Sequence, residues 1–192
     1  MRRAPFHSWG LSGARAVFLA VVILAWLIRA HSEPLTESTA KIQFMHYVAQ
    51  YAVWPKEILG PQDKQFVLGV LGENPFGAAL ENYFKGKSVK AREFVIKYFK
   101  KVEDVKACQM LFVSSSEKES FAPILKELEN TSILTISDTD GFIQRNGMIF
   151  MFITGKSEIT GGLAWDISPE AMKKAGLQID PFFIEKSRKP NQ

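Results

Sequence analysis

The sequence predicts a single three-layer α/β domain with a largely parallel central sheet, helices on both faces and an antiparallel C-terminal part. Short apolar runs rich in β-branched and aromatic residues are typical of buried strands. They alternate with helical patterns, which provide crossovers between parallel strands. Near the C-terminus, two apolar runs follow each other without a helical pattern between them, and this favours an antiparallel pair. The length suits one domain with its own core.

The first half of the domain begins with a helix. From Thr36 onwards, apolar residues recur at helical spacing, and Pro55 should end this helix near Val53 because proline lacks an amide hydrogen. Asn74 before a proline predicts the N-cap of a second helix that continues to about Phe84. The predicted strands of this half are Phe66 to Leu71, Val89 to Phe99 and Met110 to Val113.

The second half repeats the pattern and then changes. Ser116, with Glu119 three residues later, forms a capping box that predicts a third helix. Ser168, followed by Pro169, should cap a last helix that ends at Gly176. The predicted strands are Ile133 to Ile136, Met148 to Ile153 and Leu163 to Ile167.

The N-terminal segment has the layout of a secretory signal peptide: a basic start, the apolar run Ala16 to Ile28, and small residues after Arg29. An uncleaved membrane anchor is the alternative. The thirteen apolar residues rise only roughly 20 Å as a helix, against ~30 Å of hydrocarbon. We therefore expect residues 1–30 to be a cleaved signal peptide and the mature protein to be periplasmic. Cleavage after Ala30 or after Ser32 fits the sequence.

Beyond this leader, we expect an α/β domain over residues 35–186 and a polar tail over 187–192. The whole chain has 24 Lys and Arg against 20 Asp and Glu, but the leader holds four arginines and no acid. The mature chain is therefore formally neutral. This argues against nucleic-acid binding, which depends on a basic surface.

Side chains suited to catalysis or metal binding are sparse. Cys108 is the only cysteine, so the chain cannot form an internal disulfide, and its place before an apolar strand is typical of a buried small hydrophobe. His46 lies in mid-helix, far from a useful partner. A structural zinc site needs four ligands, mostly Cys or His. We therefore expect no catalytic residue, no metal site and no cofactor.

A geometric ligand site is nevertheless expected, because parallel sheets bind ligands outside the carboxyl ends of their strands. The loops predicted there are Gly72-Glu73-Asn74, Ser114-Ser115-Ser116 and the turn at Asp138. Their hydroxyl, amide and backbone donors would suit a small polar or anionic ligand. The alternative is that these groups only cap helices and turns.

Aromatic side chains gather at the end of the first helix. Tyr51 and Trp54 are predicted to bind a protein partner, because an exposed tryptophan is a common anchor at interfaces. The alternative is that this group belongs to the core and its rim.

Ordered segments along the chain resemble the YfiR-like family of exported regulatory proteins. The segments are Lys41 to Pro55 (KIQFMHYVAQYAVWP), Phe66 to Phe76 (FVLGVLGENPF), Gly86-Lys87 with Val89 to Val95 (VKAREFV), Cys108 to Val113 (CQMLFV), Leu134 to Asp138 (LTISD) with Phe142 and Gly147-Met148-Ile149, and Ile167 to Leu177. Where the family has Gly-Gly before its late strand, this chain has Asn146-Gly147.

The resemblance implies a non-enzymatic periplasmic repressor. Its partner would be the periplasmic part of an inner-membrane diguanylate cyclase or sensor kinase, whose release raises cyclic di-GMP and biofilm output. Our leading hypothesis adds to this a small polar or anionic ligand that tunes the regulator, with a homodimer as one alternative for its assembly. Better-known members carry disulfides, so disulfide control is not expected in a chain whose only cysteine is Cys108. A second hypothesis, from another class, is a periplasmic solute-binding module.

Overall fold

The structure, a computed structural model, describes residues 36–154 and 162–187. Within these ranges the α-helices are α1 (Glu37–Tyr51), α2 (Ala78–Phe84), α3 (Phe121–Glu127), α4 (Pro169–Lys174) and α5 (Pro181–Lys186). The strands are β1 (Ala52–Val53), β2 (Gln65–Leu71), β3 (Ser88–Val89), β4 (Arg92–Phe99), β5 (Met110–Val113), β6 (Leu134–Ser137), β7 (Ile149–Ile153), β8 (Leu163–Ile167) and β9 (Gln178–Ile179). Short 3₁₀ turns cover Val102–Ala107, Ser115–Ser120 and Ile143–Arg145. The predicted signal peptide and residues 188–192 of the predicted tail lie outside the described residues.

The main sheet has the strand order β3-β4-β2-β5-β6-β7-β8. Its five inner strands run parallel, whereas β3 and β8 pair antiparallel at the two edges. This confirms the α/β prediction and the antiparallel C-terminal part. The separate β1–β9 pair is also antiparallel and joins the end of α1 to the segment before α5.

Side chains alternate between the two faces of the sheet, as the pleat of a strand requires. In β2, Phe66, Leu68 and Val70 enter one buried cluster, and Val67 and Leu71 enter the other. Residues of α1, α2, α4 and α5 contribute to the first cluster, and residues of α3 contribute to the second. Helices therefore cover both faces, which gives the predicted three layers.

Helix α1 begins and ends for reasons visible in the sequence. The Thr36 hydroxyl accepts a hydrogen bond from the amide of Thr39, which caps the helix. The helix ends at Tyr51, slightly before the predicted Val53, because Ala52 and Val53 form the β1 pairing with β9. Ser168 caps α4 as predicted, its hydroxyl accepting from Ala171 N.

Two predicted helix starts are wrong. Helix α2 begins at Ala78, and Asn74 instead closes a turn by accepting a hydrogen bond from Phe76 N. The capping-box prediction at Ser116 fails because Ser114 caps a 3₁₀ turn there, and α3 begins only at Phe121. In both places a polar side chain forms a local turn that the helix signal does not distinguish.

The predicted strand Val89 to Phe99 is in fact a hairpin. Lys90 and Ala91 have positive φ angles of 49° and 65°, so the chain reverses between β3 and β4. Arg92 holds this turn, donating to the carbonyls of Lys90 at 2.8 Å and Gly60 at 2.7 Å. No glycine or asparagine marks the turn, so the sequence pattern reads as continuous.

Candidate functional site

The parallel strands divide the sheet into two edges that matter for function. We call the side where β2, β4, β5, β6 and β7 end the carboxyl edge, and the opposite side the amino edge. Strand β2 lies between β4 and β5, and the chain leaves it toward one neighbour and returns to the other. Such a reversal of strand order is where doubly wound sheets open a crevice at the carboxyl edge.

The loops after β2 and β5 meet at this crevice. The backbone amide of Ser114 donates to Leu71 O at 3.0 Å, and the amide of Glu73 donates to the Ser116 hydroxyl at 3.0 Å. Gly72 has a φ of +87°, and a Cβ there would lie 2.3 Å from Ser116 Oγ. The predicted loops are therefore brought together, and only glycine allows this close approach.

Asn74 is engaged within its own loop. Its carboxamide oxygen accepts from Phe76 N at 2.9 Å, and its nitrogen donates to Gly77 O at 3.1 Å and to Tyr98 Oη at 3.3 Å. The Asn74 carboxamide, which we predicted to bind a ligand, thus makes most of its hydrogen bonds within the protein.

Asp138 follows β6 and binds a lysine from α1. Lys41 Nζ lies 2.7 Å from Asp138 Oδ2 and 2.5 Å from Glu37 Oε1. The Lys41 and Asp138 side chains are only 11% and 16% exposed. Burial alone would lower the pKa of Lys41, but its hydrogen bonds and charge interactions with Asp138 and Glu37 outweigh burial, and the pKa is raised.

The carboxyl edge is consequently a closed arrangement. Ser114 Oγ accepts from Ser116 N, and the buried Ser137 hydroxyl donates to Val113 O. The carboxylate of Glu117 lies over Gly72, which does not favour an anion. These contacts support the capping alternative, and ligand binding by Gly72, Glu73, Asn74, Ser114, Ser115, Ser116 and Asp138 stays a prediction.

Trp54 does not have the exposure that the partner prediction assumed. Its ring is buried, 6% exposed, and its indole Nε1 donates to Gln109 O at 3.0 Å. Tyr51 is 46% exposed, Tyr47 on the preceding turn of α1 is 60% exposed, and Phe182 of α5 is 53% exposed. Partner binding stays a prediction, and Tyr51 is the residue of the predicted pair that has an accessible ring.

Two cavities lie at the amino edge, where no sequence pattern predicts a site. One, of about 430 Å³, lies between α3, the turn at Ile143–Arg145 and α4, and it reaches Thr135 of β6. The other, of about 400 Å³, lies beside Cys108 and Ile133, which precede β5 and β6. Their linings come from segments distant in sequence, so no local motif could have located them.

Metal-ligand clusters and membrane-spanning helices are both absent from the part of the chain that the structure describes. No group of three or more His, Cys, Asp or Glu side chains there could hold a metal ion. Across residues 36–154 and 162–187, no helix has both the length and the apolar character needed to cross a bilayer.

The fold and the matched segments agree with a comparison of sequence profiles. The profile of the YfiR/HmsC-like family matches residues 38–185, which is most of the chain. The chain belongs to this family. No curated protein matches the chain.

Family membership gives the YfiR/HmsC-like protein a general role. The family is periplasmic, regulatory and non-catalytic. Membership of it supports a general role for this protein as a regulator of cyclic di-GMP signalling. Within this protein, Cys108 is a free, buried thiol, as the sequence predicted. Burial raises the pKa of the Cys108 thiol to about 12, so the reactive thiolate is strongly disfavoured at neutral pH.

Proposed function

We propose that this YfiR/HmsC-like protein binds the periplasmic part of an inner-membrane diguanylate cyclase or sensor kinase and represses it. The observation that carries the proposal is an exposed group of aromatic side chains on a member of a regulatory family. We call Tyr47, Tyr51 and Phe182 the aromatic patch.

The aromatic patch is continuous across two helices. Tyr47 and Tyr51 are one turn apart on α1, so they share a helix face. The Tyr51 ring lies 5.1 Å from Phe183, which lies 6.2 Å from Phe182 on α5. The Asp180 amide also donates to Tyr51 O at 3.2 Å, which fixes the start of α5 against the end of α1.

Exposed aromatic rings are well suited to protein recognition. They offer a large contact area at little cost in conformational entropy, and truncating a central one typically weakens binding by at least about 2 kcal/mol. The aromatic patch is held by rigid elements, so binding would not require ordering a loop. Phe183 underneath is buried and supports the exposed rings.

The decisive experiment is capture of the membrane partner by the mature protein. A photo-crosslinking amino acid at Tyr47 should trap an inner-membrane protein in intact cells. The double variant Y51A/F182A should reduce pull-down of the same protein at least about ten-fold. The matched control is I58A, since Ile58 is an exposed apolar residue outside the aromatic patch. Equal capture by both variants would contradict the assignment of the surface.

The cellular consequence separates repression from simple binding. Deletion of the gene should raise cyclic di-GMP and biofilm output, and the Y51A/F182A variant should fail to restore repression while I58A restores it. Unchanged cyclic di-GMP after deletion would contradict the repressor role.

The proposal includes export through a cleaved signal peptide. N-terminal sequencing of the periplasmic protein should find a start at His31 or Glu33, after cleavage at Ala30 or Ser32. The intact polypeptide in the cytosol would contradict export.

A second candidate function is a periplasmic solute-binding module. The two amino-edge cavities favour it, because small-ligand sites commonly fall near this size range. This function predicts saturable thermal stabilisation by a metabolite together with no membrane partner. Capture of a membrane protein by the aromatic patch would decide against it.

A further inference from the structure

The 430 Å³ cavity at the amino edge has a mixed lining. We call it the α3–α4 cavity. Its floor consists of buried apolar side chains, among them Leu125 and Leu128 of the α3 region, Met148 before β7 and Ala175 after α4. Such a floor favours the apolar part of a small organic molecule, because contact removes apolar surface from water.

One buried hydroxyl in this cavity accepts a hydrogen bond but has no acceptor for its own proton within residues 36–154 and 162–187. Thr135 is 1% exposed, and its hydroxyl oxygen accepts a hydrogen bond from Met148 N at 3.2 Å. A hydroxyl can also donate one hydrogen bond. Among the described residues, no acceptor is found for the Thr135 proton. Since an unmade buried hydrogen bond is costly, this donor calls for an acceptor oxygen inside the cavity.

The rim of the α3–α4 cavity carries more positive than negative charge. Its charged residues are Lys126, Arg145, Lys174, Glu129 and Glu170. Lys174 and Glu129 lie 3.9 Å apart and largely offset each other. Arg145 is held in place because its Nη1 donates to Gly141 O at 3.0 Å. Lys126 and Arg145 therefore outnumber Glu170, which favours an anionic head group.

We propose that the α3–α4 cavity binds a small organic carboxylate with an apolar body. A carboxylate oxygen accepts the Thr135 proton, and Lys126 and Arg145 compensate its charge. The apolar body lies on Leu125 and Met148. The sequence predicted a ligand at the carboxyl edge of the sheet, and this proposal places one at the amino edge instead. Binding to the purified protein tests it without any membrane partner, so its failure would leave the partner proposal untouched.

The test uses 3-phenylpropionate as the probe and 3-phenylpropionamide as its uncharged analogue. Titration of the purified mature protein, followed by NMR shifts of the Met148 and Thr135 amides, should give a dissociation constant on the order of 1 mM for the carboxylate. The amide should bind at least about ten-fold more weakly, because it lacks the charge that the rim favours. No saturable shift with the carboxylate would overturn the proposal.

Matched variants assign the roles of the two groups. T135V should weaken carboxylate binding about ten-fold, whereas T135S keeps the hydroxyl and should bind as the wild type does. The serine variant also keeps the acceptor for Met148 N, so it separates binding from folding. K126E should abolish the preference for the carboxylate, whereas K118E, outside the cavity, should retain it. Equal affinity of T135V and T135S, or of K126E and K118E, would overturn the assignment.

Discussion

The two edges of the parallel sheet use their polar groups in opposite ways. At the carboxyl edge, Ser116 bonds to the neighbouring loop after β2, Asn74 bonds within its own loop, and Asp138 binds α1. At the amino edge, the Thr135 hydroxyl lies beside a cavity and has no acceptor for its proton among the described residues. The general rule places ligands of parallel sheets at the carboxyl edge. Among the described residues of this protein, the loops after β2 and β5 bond to each other at that edge, whereas the two cavities and the Thr135 donor lie at the amino edge.

The first prediction concerns Gly72, where we expect the largest effect on stability. G72A should lower the free energy of unfolding by about 3 kcal/mol, because alanine disfavours the +87° φ angle and its Cβ would meet Ser116 Oγ at 2.3 Å. The measurement is urea unfolding at neutral pH. The matched control is G86A, where φ is also positive at +71° but nothing lies within 4 Å of the Cβ.

G86A isolates the backbone cost, which we expect to be about 1 kcal/mol. Similar losses for the two variants would mean that the carboxyl edge tolerates an added methyl group. The loops after β2 and β5 would then be packed less tightly than their hydrogen bonds indicate.

The sequence predicted much of this fold because its strands are strongly apolar. The run Phe66 to Leu71 matches β2 almost residue for residue, and parallel pairing brings the loops after β2 and β5 to one edge. The hairpin at Lys90-Ala91 escaped prediction because a side chain from Arg92 stabilises it, without glycine or asparagine.

The site was less predictable than the fold. Lys41 and Asp138 are 97 residues apart, and only tertiary packing brings them together. Trp54 is buried against Phe66, and its indole donates to Gln109 O from a different part of the chain. The α3–α4 cavity arises where helix ends and a turn pack imperfectly, and residue patterns do not encode such spaces.

A second prediction compares one ion pair from each edge. K41M should lower the free energy of unfolding by about 2 kcal/mol, because it keeps the packing of the chain but leaves the Asp138 carboxylate partly buried without its cation. The value lies between those typical of buried and exposed pairs. K174M breaks the exposed pair with Glu129 and should cost no more than about 0.5 kcal/mol.

Chemical denaturation at two salt concentrations checks this second prediction. Salt should reduce the small K174M effect and leave most of the K41M effect, since partly buried pairs are screened less. The raised pKa keeps Lys41 charged at any pH near neutrality, so pH adjustment is not needed. An equal loss of unfolding free energy in K41M and K174M would contradict the proposed difference between the two edges.

The smallest predicted effect concerns His46, in the helix that spans both edges. Lys41 joins α1 to the carboxyl edge, and Gln50 reaches Ser88 O near its other end. Between them, His46 Nδ1 lies 3.2 Å from Tyr83 Oη, and the ring meets Phe84 and Phe94 edge-on.

Burial lowers the pKa of His46. The nearby Lys87 charge lowers this pKa further, whereas a hydrogen bond with the Ser88 backbone raises it.

Because the folded pKa lies below the ordinary value of 6.5, the unfolded chain binds more protons than the folded chain just below that pH. Stability should therefore fall as the pH drops from 6.5 through the folded pKa of His46, and it should not respond to His46 above neutrality. H46Q keeps hydrogen-bonding groups but does not titrate, so its urea midpoint should change less over this window than that of the wild type. The same pH dependence of the urea midpoint in both proteins would contradict the assignment of this loss of stability to His46.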